Sequence, residues 1–192
     1  MPRKPDAALE GKIVDVAYRL WSEQGDNALT MRAVARAART TTPTVYQRFR
    51  DKKDLKHFLE ERARQKMYSA VQSARTTLEV CGNALEFIST HGNEYRWLSA
   101  NWGEQFVHQV PMRSYDHLKK MIAKEFEMKK PEQEELAFQL FSLVHGTALL
   151  RPTGKEYQRI AEALTESCLK ACSILLEQAA PKKSSRTKSR TS

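Results

Sequence analysis

Residues 29–55 read LTMRAVARAARTTTPTVYQRFRDKKDL, and this stretch predicts two short helices, a tight turn between them and the start of a third helix. Thr30 is a good N-cap, because its hydroxyl can accept from the free N–H groups of a first helical turn. Val34 and Ala38 then lie four residues apart on one inward face. The run next meets residues 39–42, which continue a helix poorly.

The second short helix is predicted to begin at once, at Thr41 or Thr42. Pro43 takes an early position in it, where the missing N–H of proline costs nothing. Val45 and Phe49 lie four residues apart and face inward. The outward positions are Thr41, Thr42, Thr44, Tyr46, Gln47 and Arg48. A polar outer face on a short helix held by a second helix is typical of a helix-turn-helix.

Charge separates this segment from an ordinary helical hairpin with a solvated surface. Between Leu29 and Lys56 the sequence carries eight basic residues and two acidic ones, Asp51 and Asp54. The basic residues are Arg32, Arg36, Arg39, Arg48, Arg50, Lys52, Lys53 and Lys56. A solvated helical face usually mixes its signs, so phosphate binding explains this surplus better.

The segment resembles the DNA-binding domain of the TetR (tetracycline-repressor-like) family of transcriptional regulators. Four parts carry the resemblance: Ile13–Gly25 as a first helix, Thr30-Met31-Arg32-x-Val34-Ala35 as the second, Thr41-x-x-Thr44-Val45-Tyr46-x-x-Phe49 as the recognition helix, and Asp51-Lys52-x-x-Leu55 at the start of a fourth. It implies an all-α fold with an N-terminal three-helix DNA-binding domain and a C-terminal helical domain for ligand binding and dimerisation.

Two positions depart from the family pattern. Members usually have glycine where Arg39 stands and a buried aliphatic residue where Thr40 stands. Arg39 must therefore reach the turn conformation without the steric freedom of glycine.

Composition and charge agree with a helical DNA-binding protein. The sequence shows no long strand-like alternation, and its 192 residues can bury one good core or two small ones. Residues 1–60 carry a net charge of +4, residues 61–180 are neutral, and the tail from Pro181 carries +5. We therefore predict a DNA-binding domain over residues 1–55, a regulatory and dimerisation domain over 56–180, and a disordered basic tail over 181–192.

Helical periodicity and punctuation predict the remaining elements. A first helix is expected over residues 8–24, a long helix begins after Asp51, and further helices follow at about 76–91, 95–109, 112–128, 131–150 and 155–179. In the last helix the inward residues are predicted to be Ile160, Leu164, Cys168, Ala171, Ile174 and Leu175.

The DNA-contacting residues follow from the outward chemistry. Thr41, Thr42, Thr44 and Gln47 can reach base edges in the major groove, and Arg48 can reach guanine or a phosphate. Tyr46 and Lys52 look like the family's pair of backbone anchors, while Thr30 and Arg32 add phosphate contacts. For Tyr46 the alternative is core packing.

The resemblance also implies a homodimer, because one helix-turn-helix reads only a few base pairs. Family members pair through their last two helices, here residues 131–150 and 155–179, and Phe138 and Phe141 lie off the main apolar stripe there. A small-molecule effector is the further family expectation, and our predicted pocket residues are Trp97, Trp102 and Phe106. The alternative for these aromatic residues is plain core packing.

Other chemistries find little support in the sequence. Three cysteines are too few for a secreted disulfide framework, and the pair Cys168 and Cys172 fits buried small hydrophobes better than a redox switch. We expect no metal, no cofactor, no membrane segment and no enzymatic activity, and a cytoplasmic location. The leading hypothesis is a dimeric repressor that a small apolar ligand releases from a palindromic operator. The alternative is an architectural DNA-binding protein without an effector.

Overall fold

The computed structural model describes residues 7–100, 102–103, 108, 111–152 and 154–179. Regular structure in these ranges is helical throughout, which confirms the all-α prediction. The α-helices found there are α1 (Ala7–Gln24), α2 (Met31–Ala37), α3 (Thr42–Tyr46), α4 (Lys52–Gln72), α5 (Thr77–Thr90), α6 (Gly92–Ser99), α7 (Arg113–Glu125), α8 (Lys130–Leu150) and α9 (Gln158–Ala179). Short 3-10 turns at Asp26–Ala28 and Lys155–Tyr157 precede α2 and α9. None of these helices is both long and apolar enough to cross a bilayer.

The chain packs as two compact units. Met1–Ala70 and Phe87–Pro111 form an N-terminal unit, and Val71–Glu86 and Met112–Ser192 form a C-terminal unit. Packing thus groups residues 56–70 and 87–111 with the helix-turn-helix segment. This grouping describes packing, whereas the division predicted at residue 55 concerns function, and that division stays a prediction. The predicted basic tail, 181–192, lies outside the described residues.

Helix α1 is held by one stripe of buried side chains. Ile13, Val16, Ala17, Tyr18 and Trp21 are buried. Gly25 ends the helix at φ +80°, with its N–H donating to the Trp21 carbonyl at 2.9 Å. A residue with a side chain rarely adopts that backbone, so glycine suits this end of the helix.

In the C-terminal unit, α9 corrects one detail of the sequence prediction. Ile160 and Ile174 were expected to face inward, but they are 55% and 45% exposed. The buried line instead runs through Ala161, Cys168, Cys172 and Leu176. Ala161 is thus buried in place of Ile160, and Leu176 in place of Ile174. The two isoleucines lie on the open side of the helix.

Candidate nucleic-acid interface

The first helix of the helix-turn-helix begins at Thr30, as predicted. The Thr30 hydroxyl accepts from the N–H of Ala33 at 3.1 Å, and its extended backbone (φ −125°, ψ 148°) is that of an N-cap. Met31, Val34 and Ala35 are buried, so α2 is held by this face. Arg32 is exposed one residue into the helix, near free N–H groups that also attract phosphate.

The turn after α2 is a Schellman motif centred on Arg39. Arg39 has φ 55°, its N–H donates to the Arg36 carbonyl at 3.1 Å, and the N–H of Thr40 donates to the Ala35 carbonyl at 2.9 Å. These two bonds are the pair that defines the motif. The sequence prediction that Arg39 occupies a position suited to glycine is therefore confirmed. A non-glycine residue held there stores roughly 1–2 kcal/mol of strain.

The recognition helix α3 begins with a cap made of two hydroxyls. Thr41 Oγ1 accepts from the N–H of Thr44 at 3.3 Å and lies 2.8 Å from Thr44 Oγ1. Pro43 occupies the first turn, as predicted. Helical hydrogen bonding continues past the end of α3, because the N–H of Phe49 donates to the Val45 carbonyl at 3.0 Å. Val45 and Phe49 are buried, which anchors this short helix from below.

The predicted base-reading side chains lie on the open side of this helix. Thr41 and Gln47 are exposed, and Thr42 and Thr44 are half-buried. Tyr46 is 51% exposed, so it is not a core residue. We call the five side chains predicted to face outward on and beside this helix the recognition surface: Thr41, Thr42, Thr44, Tyr46 and Gln47.

Arg48 differs from its neighbours. Its side chain is half-buried and Nη1 donates to the Thr44 carbonyl at 3.3 Å. This bond turns the guanidinium back along its own helix. In this conformation Arg48 stabilises the end of the recognition helix.

Lys52 has an intramolecular partner that the sequence did not suggest. Its Nζ donates to the backbone carbonyl of Asp26 at 2.9 Å and lies 3.4 Å from Asp26 Oδ2. Lys56 Nζ lies 3.0 Å from Asp26 Oδ1. Burial by itself would raise the pKa of the Asp26 carboxyl, but the hydrogen bond and charge of Lys56, together with Lys52, hold this pKa below its usual range. Asp26 is therefore ionised at neutral pH.

The fourth helix starts next to this cluster with a strong cap. Asp51 Oδ1 accepts from the N–H of Asp54 at 2.8 Å, and Asp54 Oδ2 accepts from the N–H of Arg50 at 3.0 Å. The two acids of the basic segment are thus engaged with backbone N–H groups, as N-terminal acids of helices commonly are. The basic side chains around them keep their surplus of positive charge.

Helix α6 packs onto α1 within the same unit. Tyr18 Oη donates to Glu94 Oε1 at 3.3 Å, and Asn93 Nδ2 donates to the Ser22 carbonyl at 2.6 Å. The rings of Trp21 and Trp97 meet edge to face at 4.5 Å. Burial and the neighbouring Glu94 raise the pKa of Tyr18 well above its usual range, so this tyrosine stays protonated and donates.

Of the predicted ligand-pocket residues, Trp97 and Trp102 are described, and both pack against other aromatic rings. Trp97 is half-buried against Trp21, with Lys56 Nζ 4.0 Å from its ring centroid. Trp102 is 9% exposed and meets Tyr95 edge to face at 5.3 Å. Phe106 lies outside the described residues. These contacts are those of core aromatic residues, and the pocket itself stays a prediction.

An open groove with a volume of about 760 Å³ lies elsewhere in the N-terminal unit. One side is formed by α4 residues, including the half-exposed Phe58, Gln65 and Ala70. The other side carries Phe87 and His91, whose rings stack 4.5 Å apart. The sequence did not indicate this groove, since the exposure of one aromatic residue, Phe58, leaves no mark in helical periodicity.

The three cysteines converge in the C-terminal unit. Cys81, Cys168 and Cys172 are free and buried. Cys172 has a hydrogen bond with Cys168 that lowers its pKa, but the bond with Cys81 and burial outweigh this and bring the pKa to about 12. The bond with Cys172, followed by burial, raises the pKa of Cys168 as well. Thiols held protonated are weak nucleophiles, which favours the buried-hydrophobe interpretation. The described residues hold no group of three or more potential metal ligands.

Comparison with known proteins agrees with this geometry. Residues 13–57 match the family described as bacterial regulatory proteins, tetR family. No relative is found by sequence among curated proteins. Among solved structures, a protein with unknown function from Rhodococcus sp. RHA1 is 16% identical, with a TM-score of 0.72 over 93% of this chain and 100% of that one.

Two further structures with the same fold are transcriptional regulators. One is a TetR-like transcriptional regulator from Rhodococcus sp. RHA1, 18% identical, with a TM-score of 0.61 over 92% of this chain and 97% of that one. The other is the transcriptional regulator SCO7222, a TetR from Streptomyces coelicolor, 14% identical, with a TM-score of 0.62 over 88% and 95%. At these identities the structures show a shared fold, and the sequence match over residues 13–57 supplies the family. Residues 13–57 of this chain therefore match the tetR family of bacterial regulatory proteins, which supports a DNA-binding regulator of transcription, and the chain shares its fold with TetR-like transcriptional regulators.

Proposed function

We propose that this regulator is a homodimeric repressor that binds a palindromic operator and is released from it by a small apolar ligand. The observation that carries the proposal is the recognition surface. Thr41, Tyr46 and Gln47 are exposed on a helix whose inner face, Val45 and Phe49, is fully buried. Polar side chains on a rigid helix are suited to reading base edges in a major groove.

We assign the roles at this surface by chemistry. Thr41, Thr42, Thr44 and Gln47 contact base edges; Tyr46, Lys52, Thr30 and Arg32 contact the phosphate backbone; Arg48 contacts guanine or phosphate. Gln47 has the amide that pairs bidentately with adenine, and threonine methyl groups suit the thymine methyl. Arg32 is exposed near the N-terminus of α2, where the helix end adds to its attraction for phosphate.

Apolar side chains exposed on α8 and α9 support dimerisation. On α8, Phe138 and Leu149 are 54% and 59% exposed, and a Cβ placed on Gly146 would meet nothing within 4 Å. On α9, Ile160 and Ile174 lie two heptads apart on the open side. Apolar stripes left open on two helices are what a helix-pairing interface requires. Pairing of two copies through residues 131–150 and 155–179 would cover both stripes.

A dimer would give the recognition helices a fixed separation. Half-sites one helical turn apart require a spacing of about 34–36 Å between recognition helices. A ligand that binds more tightly to a state with a different spacing lowers DNA affinity by its differential affinity for the two states. The effector pocket is proposed at Trp97, Trp102 and Phe106.

Only three tryptophans are present, Trp21, Trp97 and Trp102. Intrinsic fluorescence therefore provides a direct ligand screen. A Trp102→Phe variant should lose part of the ligand-induced change if the proposed pocket is the site. An unchanged response in that variant would move the site elsewhere, with the groove beside Phe58 as the next place to test.

The basic tail favours the second candidate, an architectural DNA-binding protein. Residues 181–192 carry five basic residues and no acid, and such tails add affinity without sequence information. Truncation at Pro181 separates the two candidates. Sequence-specific binding that survives with a shallower salt dependence identifies the tail as an accessory to a repressor.

Selection from a genomic fragment library at physiological salt tests the proposal directly. A homodimeric repressor enriches a palindromic site near promoters, and that site then serves as the probe for effector screening. A Gln47→Ala variant provides the matched control, because this exposed side chain lies away from the core and its loss should change the motif without unfolding the domain. Enrichment of fragments without any motif would contradict the repressor proposal.

A further inference from the structure

Asp26 contacts the ammonium group of Lys52 through its side chain as well as its backbone. It opens the 3-10 turn Asp26–Ala28 between α1 and α2, and both of its carboxylate oxygens face lysines of α4. Lys52, one of those lysines, is our proposed backbone anchor. The Asp26 and Lys52 side chains are 40% and 39% exposed, so solvent and a ligand can reach the pair.

The contacts divide into a fixed part and an exchangeable part. Lys52 Nζ donates to the Asp26 backbone carbonyl at 2.9 Å, whereas its distance to Oδ2 is 3.4 Å. Loss of the carboxylate contact therefore leaves the ammonium held by the carbonyl. The carboxylate also keeps a partner of its own, because Lys56 Nζ lies 3.0 Å from Oδ1 and is itself held over the Trp97 ring at 4.0 Å.

We propose that Asp26 is an intramolecular substitute for a DNA phosphate, which occupies the Lys52 ammonium in the free protein and is displaced by the DNA backbone. This inference rests on the proposed role of Lys52 in DNA binding. Carboxylate and phosphate oxygens are both anionic acceptors for an ammonium group, and they repel each other when both approach it. Every phosphate contact made by Lys52 must therefore overcome the competition from Asp26.

The consequence for function is a lower occupancy of non-operator DNA. Non-specific binding is almost entirely electrostatic, whereas specific binding adds base contacts. A carboxylate that weakens phosphate contacts lowers the affinity for both kinds of site. The affinity for random DNA, which depends on phosphate contacts, becomes low. The operator still binds, because the recognition surface adds base contacts. Asp26 thus limits the protein's occupancy of non-operator DNA.

The test compares Asp26→Asn, Lys52→Gln and the double variant in binding to random-sequence duplex DNA between 50 and 200 mM salt. Asp26→Asn keeps the backbone carbonyl and the side-chain shape. It should bind random DNA about threefold to tenfold more tightly at 50 mM salt, with a salt slope steeper by about 0.9 for each DNA-binding unit engaged. In the Lys52→Gln background the same substitution should yield little of this gain.

Glu23→Gln is the matched control, because it removes one negative charge from the same unit at an exposed position on α1. Three outcomes would each overturn the proposal. The affinity for random DNA could rise equally in Asp26→Asn and Glu23→Gln, or the gain from Asp26→Asn could persist in the Lys52→Gln background. The third outcome is a loss of affinity in Asp26→Asn. Should Asp26→Asn fail to fold in a thermal unfolding scan, Asp26→Ser replaces it with the same expectations. Wild-type protein that binds no duplex at all would contradict the proposed function itself, a result distinct from any of these.

Discussion

The two units of this molecule differ in what they leave exposed. In the N-terminal unit the exposed surface near α2 and α3 is polar and basic, and its buried face is built from large side chains such as Phe49. In the C-terminal unit the exposed side chains of α8 and α9 include Phe138, Leu149 and Ile174. The first pattern suits a charged, polar partner, and the second suits a partner that is itself apolar. The exposed side chains of each unit therefore indicate the kind of partner that the unit binds.

The largest expected effect concerns the apolar surface of the C-terminal unit. Ile174→Lys places a charge on the open side of α9, where a second copy is proposed to pack. Burying that charge without a partner, twice in a symmetric dimer, should weaken dimerisation on the order of 100-fold or more. Sedimentation velocity measures the dissociation, and operator binding should fall with it.

The matched control for this substitution is Glu166→Lys on the charged side of the same helix, about 80° away around the helix axis. That variant should remain a dimer. If both variants dimerise equally well, the apolar stripe of α9 is not the dimer interface. The proposed difference between the partners of the two units would then be wrong.

A second pair of variants separates base reading from anchoring in the N-terminal unit. Gln47→Ala should cost about 1–3 kcal/mol at one base-pair position and relax specificity there. Arg32→Ala should weaken binding to all sequences alike and reduce the salt slope by about 0.9 per contact. Competition binding against single-substitution operators at two salt concentrations distinguishes them. A uniform loss from Gln47→Ala would reassign that residue to the backbone.

The strained turn predicts a stabilising substitution. Arg39→Gly relieves the positive φ of Arg39, and after the added flexibility of the unfolded chain is counted, a gain of about 0.5–1 kcal/mol remains. Thermal unfolding should shift upward by about 1–4 °C. Arg36→Ala removes the same charge from a helical position and should leave the midpoint nearly unchanged. A lower midpoint for Arg39→Gly would mean that the arginine side chain itself stabilises the turn.

The smallest expected effect is a pH dependence that belongs to the C-terminal unit. Burial lowers the pKa of both His117 and His145 below 6.5. The positive charge of Lys120 lowers the pKa of His117 further. The unfolded chain then binds protons near pH 6.5 while the folded protein does not, so stability is complete above this pH and declines as the pH falls through the lowered values. Denaturant unfolding at pH 7.5 and 5.5 measures the decline. His145→Asn should reduce it.

The sequence predicted most where the constraint is local. The caps at Thr30 and Thr41, the strained turn at Arg39 and the helical class all follow from short-range hydrogen bonding and sterics, and the structure bears them out. The contact between Asp26 and Lys52 could not be predicted from local sequence, because the two residues lie 26 positions apart. A Gly-Asp turn by itself does not indicate which residue its carboxylate will contact.

In the C-terminal unit the same limit appears in the choice of buried face. The sequence of α9 offers isoleucines on one side and small residues on the other, and hydrophobicity favours burying the isoleucines. The structure buries the small side instead, and a Cβ placed on Gly82 of α5 would meet Leu169 Cδ2 of α9 at 3.9 Å, an ordinary van der Waals distance. Close approach between helices is a property of both partners, so periodicity within one of them could not reveal it.

The packing of α6 on α1 has a practical consequence for dissecting this regulator. Trp21 is only 2% exposed in the folded protein, where it meets the ring of Trp97, and Tyr18 bonds to Glu94. A fragment ending near residue 55 would retain every proposed DNA-contacting side chain and yet leave that tryptophan and tyrosine without their cover. Such a fragment should aggregate or unfold readily. The smallest unit worth producing separately is thus one that joins residues 7–70 to 87–111, since the helix that completes the core lies far downstream in the chain.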